Sequence, residues 1–112
     1  MMAGFSQGGI LSASVALCAP QDVARFAILS GRILPELEPH LAPPEALARV
    51  AAFIAHGEYD DKLPMAFASH ADAWLTRLGV VHDTRLYPVG HTLSPDIVRD
   101  FSNWVSQQIN LD

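Results

Sequence analysis

The segment Gly4-Phe5-Ser6-Gln7-Gly8 constrains the fold of this chain more than any other. It has the form G-x-S-x-G, in which a serine sits on a sharp turn from a strand into a helix. Small residues on both sides let the backbone fold back on itself, and the turn lifts the serine hydroxyl above the end of a sheet. Such a turn needs a strand in front of it. Only Met1, Met2 and Ala3 precede Gly4, so that strand is expected to be a stub. Taken by itself, the pentapeptide also fits a glycine-rich helix start carrying a solvated serine.

The rest of the chain alternates helix and strand. Residues 6–18 carry Ile10, Leu11, Ala13, Ser14, Val15 and Leu17 with no breaker after Gly9, which predicts a helix ending before Pro20. Two short apolar runs, Arg25 to Gly31 and Val50 to Ala55, predict buried strands. Between them residues 32–48 hold Pro35, Pro39, Pro43 and Pro44, and predict a long connection with one short helical turn. Behind Pro64, the residues Phe67, Ala71, Trp74, Leu75 and Leu78 recur at helical spacing, with Gly79 as the stop. Val80 to Tyr87 alternates more weakly and predicts an edge strand. Ser94 caps a last helix with Pro95 at its first position and Ile97, Phe101, Trp104 and Val105 on its apolar face. Short continuous strands joined by helices predict a parallel sheet covered on both faces, with right-handed crossovers.

Composition narrows the class. A chain of 112 residues is one domain at most, here 1–112, and half of it is hydrophobic, which suits a packed core. No apolar run reaches the roughly 18 residues of a membrane span, and the N-terminus has no secretory leader pattern. The net charge of -5 and the scattered Lys and Arg leave no basic stripe for nucleic acid. These features fit a cytoplasmic protein. Cys18 is the only cysteine, so no internal disulfide forms, and among Ala and Leu it reads as a small buried hydrophobe. His40, His70 and His82 lack metal-ligand spacing and there is no His-Glu-x-x-His, so no metal is expected. Trp74 and Trp104 read as core.

Three side chains suit nucleophilic catalysis. A serine hydroxyl attacks a carbonyl only when a base takes its proton, and the base works best when an acid orients it. Ser6, an aspartate at 60 or 61, and His91 each follow a different predicted strand on the same sheet edge, in the order serine, acid, histidine. Asp60 and Asp61 compete for the acid role. His56 reads as a strand-end histidine bonded to nearby backbone.

Gly4-Phe5-Ser6-Gln7-Gly8-Gly9, Leu29-Ser30-Gly31, His56-Gly57-Glu58-Tyr59-Asp60 with Leu63-Pro64, and Tyr87-Pro88-Val89-Gly90-His91 together resemble the phospholipase/carboxylesterase family of the α/β-hydrolase superfamily, which includes acyl-protein thioesterases. The resemblance runs over nearly the whole chain but only over the C-terminal half of a member. It implies an α/β fold, the C-terminal part of an α/β-hydrolase, with about three parallel strands and flanking helices beginning just before the nucleophile turn. It implies Ser6 as nucleophile, Asp60 (four residues after His56) as acid, His91 as base and the Gln7 backbone N–H as an oxyanion donor. The substrate implied is a small-molecule carboxylic ester or acyl thioester, with no cofactor. Asp at the nucleophile position would suggest a dehalogenase and Cys a dienelactone hydrolase, and Ser6 fits neither.

A second oxyanion donor belongs to a loop upstream of the nucleophile in that family. The chain alone is therefore expected to be a weak esterase or an inactive one, and the alternative is a non-catalytic half-domain, either a remnant or a module that completes a sheet. An apolar sheet edge left open is expected to favour self-association into a homo-oligomer. Leu34, Leu37 and Leu41 are expected near the acyl pocket from their position alone.

Overall fold

Four parallel strands lie side by side in the order in which they occur: β1 (Met2–Phe5), β2 (Arg25–Leu29), β3 (Ala51–Gly57) and β4 (Val81–Tyr87). The computed structural model describes residues 1–110. Helix α1 (Gln7–Cys18) links β1 to β2. A 3₁₀ helix (Pro35–His40) and α2 (Pro44–Leu47) occupy the long connection to β3. Helix α3 (Ala66–Leu78) links β3 to β4, and α4 (Pro95–Asn110) follows the last strand. Phe5, Leu29, Ala55 and Arg85 stand in register across the sheet, so the four strands end near one edge.

The strand alternation divides the core in two. Phe26 and Ile28 of β2, with Ala52 and Ile54 of β3, face one side and meet Ala13, Ala16 and Leu17 of α1 and Ala68, Ala71 and Leu75 of α3. Ala27, Leu29, Ala51, Phe53 and Ala55 face the other side and meet Ile97 and Trp104 of α4. Because both faces of β2 and β3 are covered, these strands read in sequence as unbroken apolar runs. Phe53 is fully buried, with its ring centroid 5.8 Å from Trp104 and 6.1 Å from Phe101.

The expected α/β class holds, with four strands where about three were expected: the two apolar runs, the weaker edge strand, and the short piece before Ser6. Met2 to Phe5 pairs with Phe26 to Leu29 although only four residues long. It is the stub expected in front of the Gly4–Gly8 turn; its own pattern could not show it, because neither an apolar run nor a full alternation fits into so few residues. On its outer side β1 has no neighbouring strand among the described residues. At the opposite edge β4 is largely exposed, as its weak alternation indicated, with Val81 67% accessible.

Other expectations are borne out or refined in detail. The long connection carries two helical pieces, each opened by a proline, Pro35 and Pro44, whose fixed φ suits a first helical position. Leu37 and Leu41 pack, partly buried, against the first core. Cys18, the last residue of α1, is half-buried. Trp104 lies in the core, while Trp74 packs against it partly buried. Ser94 Oγ accepts the Ile97 N–H at 3.2 Å and caps α4. Among the described residues no helix is long and apolar enough to cross a membrane.

Candidate active site

Ser6 occupies the single position between β1 and α1. Its backbone has φ 59° and ψ -115°, a left-handed conformation that a serine adopts only when its surroundings enforce it. The enforcement is visible: the Ser6 N–H donates to the Leu29 carbonyl at 2.8 Å, and its own carbonyl accepts the N–H of Gly9 and Ile10 at 3.0 and 3.1 Å. Gly4 meets the second demand of the turn. A Cβ there would run into the Gly8 carbonyl, so the chain can double back only without a side chain. The turn exposes the hydroxyl at the C-terminal end of the sheet, directly at the N-terminus of α1. There the first N–H groups, Gln7 included, have no acceptor within the helix.

Asp60 and His91 arrive from the loops after the third and fourth strands along the same edge. Asp60 follows β3 and His91 follows β4. The two loops are laced together: Glu58 N–H donates to the Tyr87 carbonyl at 2.7 Å and Tyr59 N–H to that of Val89 at 3.0 Å. Gly57 permits this approach, because a Cβ at that position would strike the Val89 and Gly90 carbonyls.

The three side chains form one hydrogen-bonded line. His91 Nδ1 lies 2.6 Å from Asp60 Oδ2, and His91 Nε2 lies 3.0 Å from Ser6 Oγ. With Nδ1–H donated to the carboxylate, Nε2 carries the lone pair that accepts the Ser6 hydroxyl proton. Phe5 packs beside the imidazole, with ring centroids 4.8 Å apart. The Asp60 carboxylate is fully buried and its other oxygen, Oδ1, accepts the backbone N–H of Lys62 at 2.9 Å and of Leu63 at 2.8 Å. Burial pushes its pKa up, but the N–H groups of Leu63, His91 and Lys62 together outweigh it and hold the carboxyl below the usual aspartate range. The buried side chain is therefore an anion at neutral pH, aimed at the imidazole.

Of the residues singled out from sequence, Ser6, Asp60 and His91 meet, Gln7 starts the adjacent helix, and Asp61 points away as an exposed loop residue. His56 is a buried strand-end residue whose ring meets the Leu63 carbonyl. His82 is not a free surface histidine: it bridges the Asp72 carboxylate and the Val80 carbonyl, tying α3 to β4. Phe5 and Gly31 lie in motifs the sequence reading quoted, but their supporting roles escaped it. A Cβ on Gly31 would sit 2.9 Å from the Ser6 carbonyl, so the turn after β2 also backs Ser6. No local pattern marks either role, since each residue matters only through a neighbour distant in sequence. A cavity of about 550 Å³ opens at the opposite end of the strands, beside Arg25, Val50, Val81 and Trp104. It contains none of the three aligned residues.

Residues 1–109 match the family described as Phospholipase/Carboxylesterase. Among solved structures, SOBER1 from Arabidopsis thaliana superposes with a TM-score of 0.83 at 24% identity, over 96% of this chain and 51% of its own. A carboxylesterase from Mesorhizobium loti gives 0.77 at 27% identity, over 93% of this chain and 47% of its own. Acyl-protein thioesterase 2 from Zea mays gives 0.78 at 21%, over 94% and 54%. The chain thus spans about half the length of the solved structures it resembles, and its sheet corresponds to the C-terminal part of an α/β-hydrolase fold. With 109 of its 112 residues matched, the chain belongs to the phospholipase/carboxylesterase family.

Proposed function

We propose that this chain carries the catalytic residues of a serine hydrolase that cleaves carboxylic esters or acyl thioesters. The observation that carries the reading is the line from Ser6 Oγ to His91 to Asp60, with separations of 3.0 and 2.6 Å. Family membership supports the same chemistry.

In the first half-reaction Ser6 Oγ attacks the acyl carbon while His91 Nε2 takes the hydroxyl proton. Asp60 stabilises the imidazolium and keeps Nδ1 protonated, so the ring presents the correct nitrogen. Negative charge on the former carbonyl oxygen is met by the Gln7 N–H and the positive end of α1. The C–O or C–S bond breaks, His91 returns the proton to the leaving alcohol or thiol, and an acyl-Ser6 ester remains. Water then attacks that ester with His91 again as base, releasing the acid and restoring Ser6. No step calls for a cofactor.

Hydrolysis of a p-nitrophenyl ester and of an acyl thioester by the purified chain tests this, beside Ser6→Ala. Turnover above the buffer rate that falls by about 10³-fold or more in Ser6→Ala is the expected result. Turnover that survives the substitution would overturn the reading.

The free outer edge of β1 favours a second reading, in which the chain is a half-domain that completes its sheet on another polypeptide, or on a second copy of itself. Absence of Ser6-dependent turnover from folded protein, together with self-association in sedimentation, would support it over the first.

A further inference from the structure

His56 is fully buried at the C-terminal end of β3, yet its ring is not packed away from the site. Its Nε2 lies 2.6 Å from the Leu63 carbonyl oxygen, so Nε2 is the nitrogen that carries hydrogen. Nδ1 is buried with no partner; a hydrogen there would be an orphaned donor, so Nδ1 is the bare nitrogen. The same Nε2 stands 3.6 Å from Asp60 Oδ2, the oxygen that meets His91.

Leu63 is the link. Its N–H donates to Asp60 Oδ1 at 2.8 Å and its carbonyl accepts from His56. The turn from Asp60 to Leu63 is otherwise an exposed loop, with Asp61 and Lys62 both in solvent. Apart from the His56 bond, the turn is held to the end of β3 by the Asp60 N–H reaching the Gly57 carbonyl at a long 3.3 Å. The His56 bond is much shorter, and its imidazole is fully buried.

We propose that His56 is a positioning residue for the acid: by donating Nε2–H to the Leu63 carbonyl it fixes the Asp60–Leu63 turn so that Asp60 Oδ2 meets His91. This rests on Ser6, His91 and Asp60 acting as nucleophile, base and acid. Two carboxamides separate the donated bond from mere filling of space. In His56→Gln the amide nitrogen lies as many bonds from the backbone as imidazole Nε2 and can reach Leu63. In His56→Asn it stops at the place of Nδ1 and cannot.

The experiment reads two signals on the intact chain: the Asp60 carboxyl titration by ¹³C NMR, and the rate of Ser6 labelling by a fluorophosphonate. The first does not depend on catalysis, so the positioning role stays testable if labelling of the wild type fails. In His56→Asn, Asp60 is expected to titrate closer to the ordinary aspartate value and labelling to slow by about 10-fold or more, the scale of a misplaced catalytic group. In His56→Gln both are expected to stay with the wild type, within about threefold in rate, well below the cost of misplacement. ¹⁵N NMR of the wild type should show His56 as the Nε2–H tautomer. If His56→Asn does not fold, the folded His56→Gln variant decides alone. The proposal is overturned by an unchanged Asp60 titration in folded His56→Asn, by a raised one in His56→Gln, or by an Nδ1–H tautomer at His56.

Discussion

At the scale of single residues, the site depends on groups whose only job is to hold others in place. Asp60 is fully buried and accepts three N–H donors through two oxygens, so Asp60→Asn keeps the shape but puts a donor where His91 Nδ1–H needs an acceptor. The wrong imidazole tautomer should then cut the rate of Ser6 acylation by about 10⁴-fold, as measured by ester turnover. Gly57→Ala is expected to act through sterics, since the new Cβ would meet the Val89 and Gly90 carbonyls. Forcing those strand ends apart should cost about 1–3 kcal/mol in urea denaturation and carry His91 away from Asp60. Wild-type stability in that variant would mean that the two loops have room to part. That Ser6, Asp60 and His91 would meet was legible in sequence, because nucleophilic catalysis calls for particular residue types, each placed just past a different strand on one sheet edge. His56 was legible as a strand-end histidine bonded to nearby backbone, but its partner Leu63 and the packing of Phe5 beside His91 were not, because each is defined only by what the fold brings near.

At the scale of elements, α3 and β4 are joined by a polar clamp rather than by a broad apolar contact. Asp72 Oδ1 accepts from Thr84 Oγ1 at 2.7 Å and from His82 Nε2 at 2.9 Å. The Thr84 hydroxyl is the main influence on this carboxyl; burial opposes it, His82 reinforces it, and the net effect is a pKa below the usual aspartate range. A carboxylate lowered in the folded state stabilises the fold above its unfolded value, near 4, and loses that contribution as pH falls through the folded value. Asp60 is lowered in the same direction. The urea midpoint should therefore drop as pH is taken below about 4, and the drop should be shallower in Asp72→Asn. An identical acid limb in that variant would count against the clamp. The elements themselves were legible where they are long or covered: α3 declared itself by period and by Gly79, β2 and β3 by unbroken apolar runs. The strand β1 was legible only indirectly, as the stub that the Gly4–Gly8 turn requires; four residues carry too little pattern of their own, and the pairing with β2 is settled by tertiary contact.

At the scale of the whole molecule, two apolar layers enclose one sheet, and one end of that sheet gathers all three aligned side chains. The layer under α4 is thin and depends on Phe53, so Phe53→Ala should cost about 3–5 kcal/mol in denaturant unfolding. A loss below about 1 kcal/mol would show that this layer closes readily around the cavity. The chain spans about half of the solved structures it resembles, and among the described residues no strand pairs with the outer edge of β1. The central claim is that Ser6, His91 and Asp60 work as one catalytic unit on this half-sheet. Fluorophosphonate labelling of the purified chain beside Ser6→Ala and Asp60→Asn tests it most directly, because the probe needs an activated serine and no particular substrate. Labelling of the wild type, abolished in Ser6→Ala and strongly slowed in Asp60→Asn, is the expected result. Folded wild-type protein that takes up no probe, or an Asp60→Asn variant that labels at the wild-type rate, would contradict it.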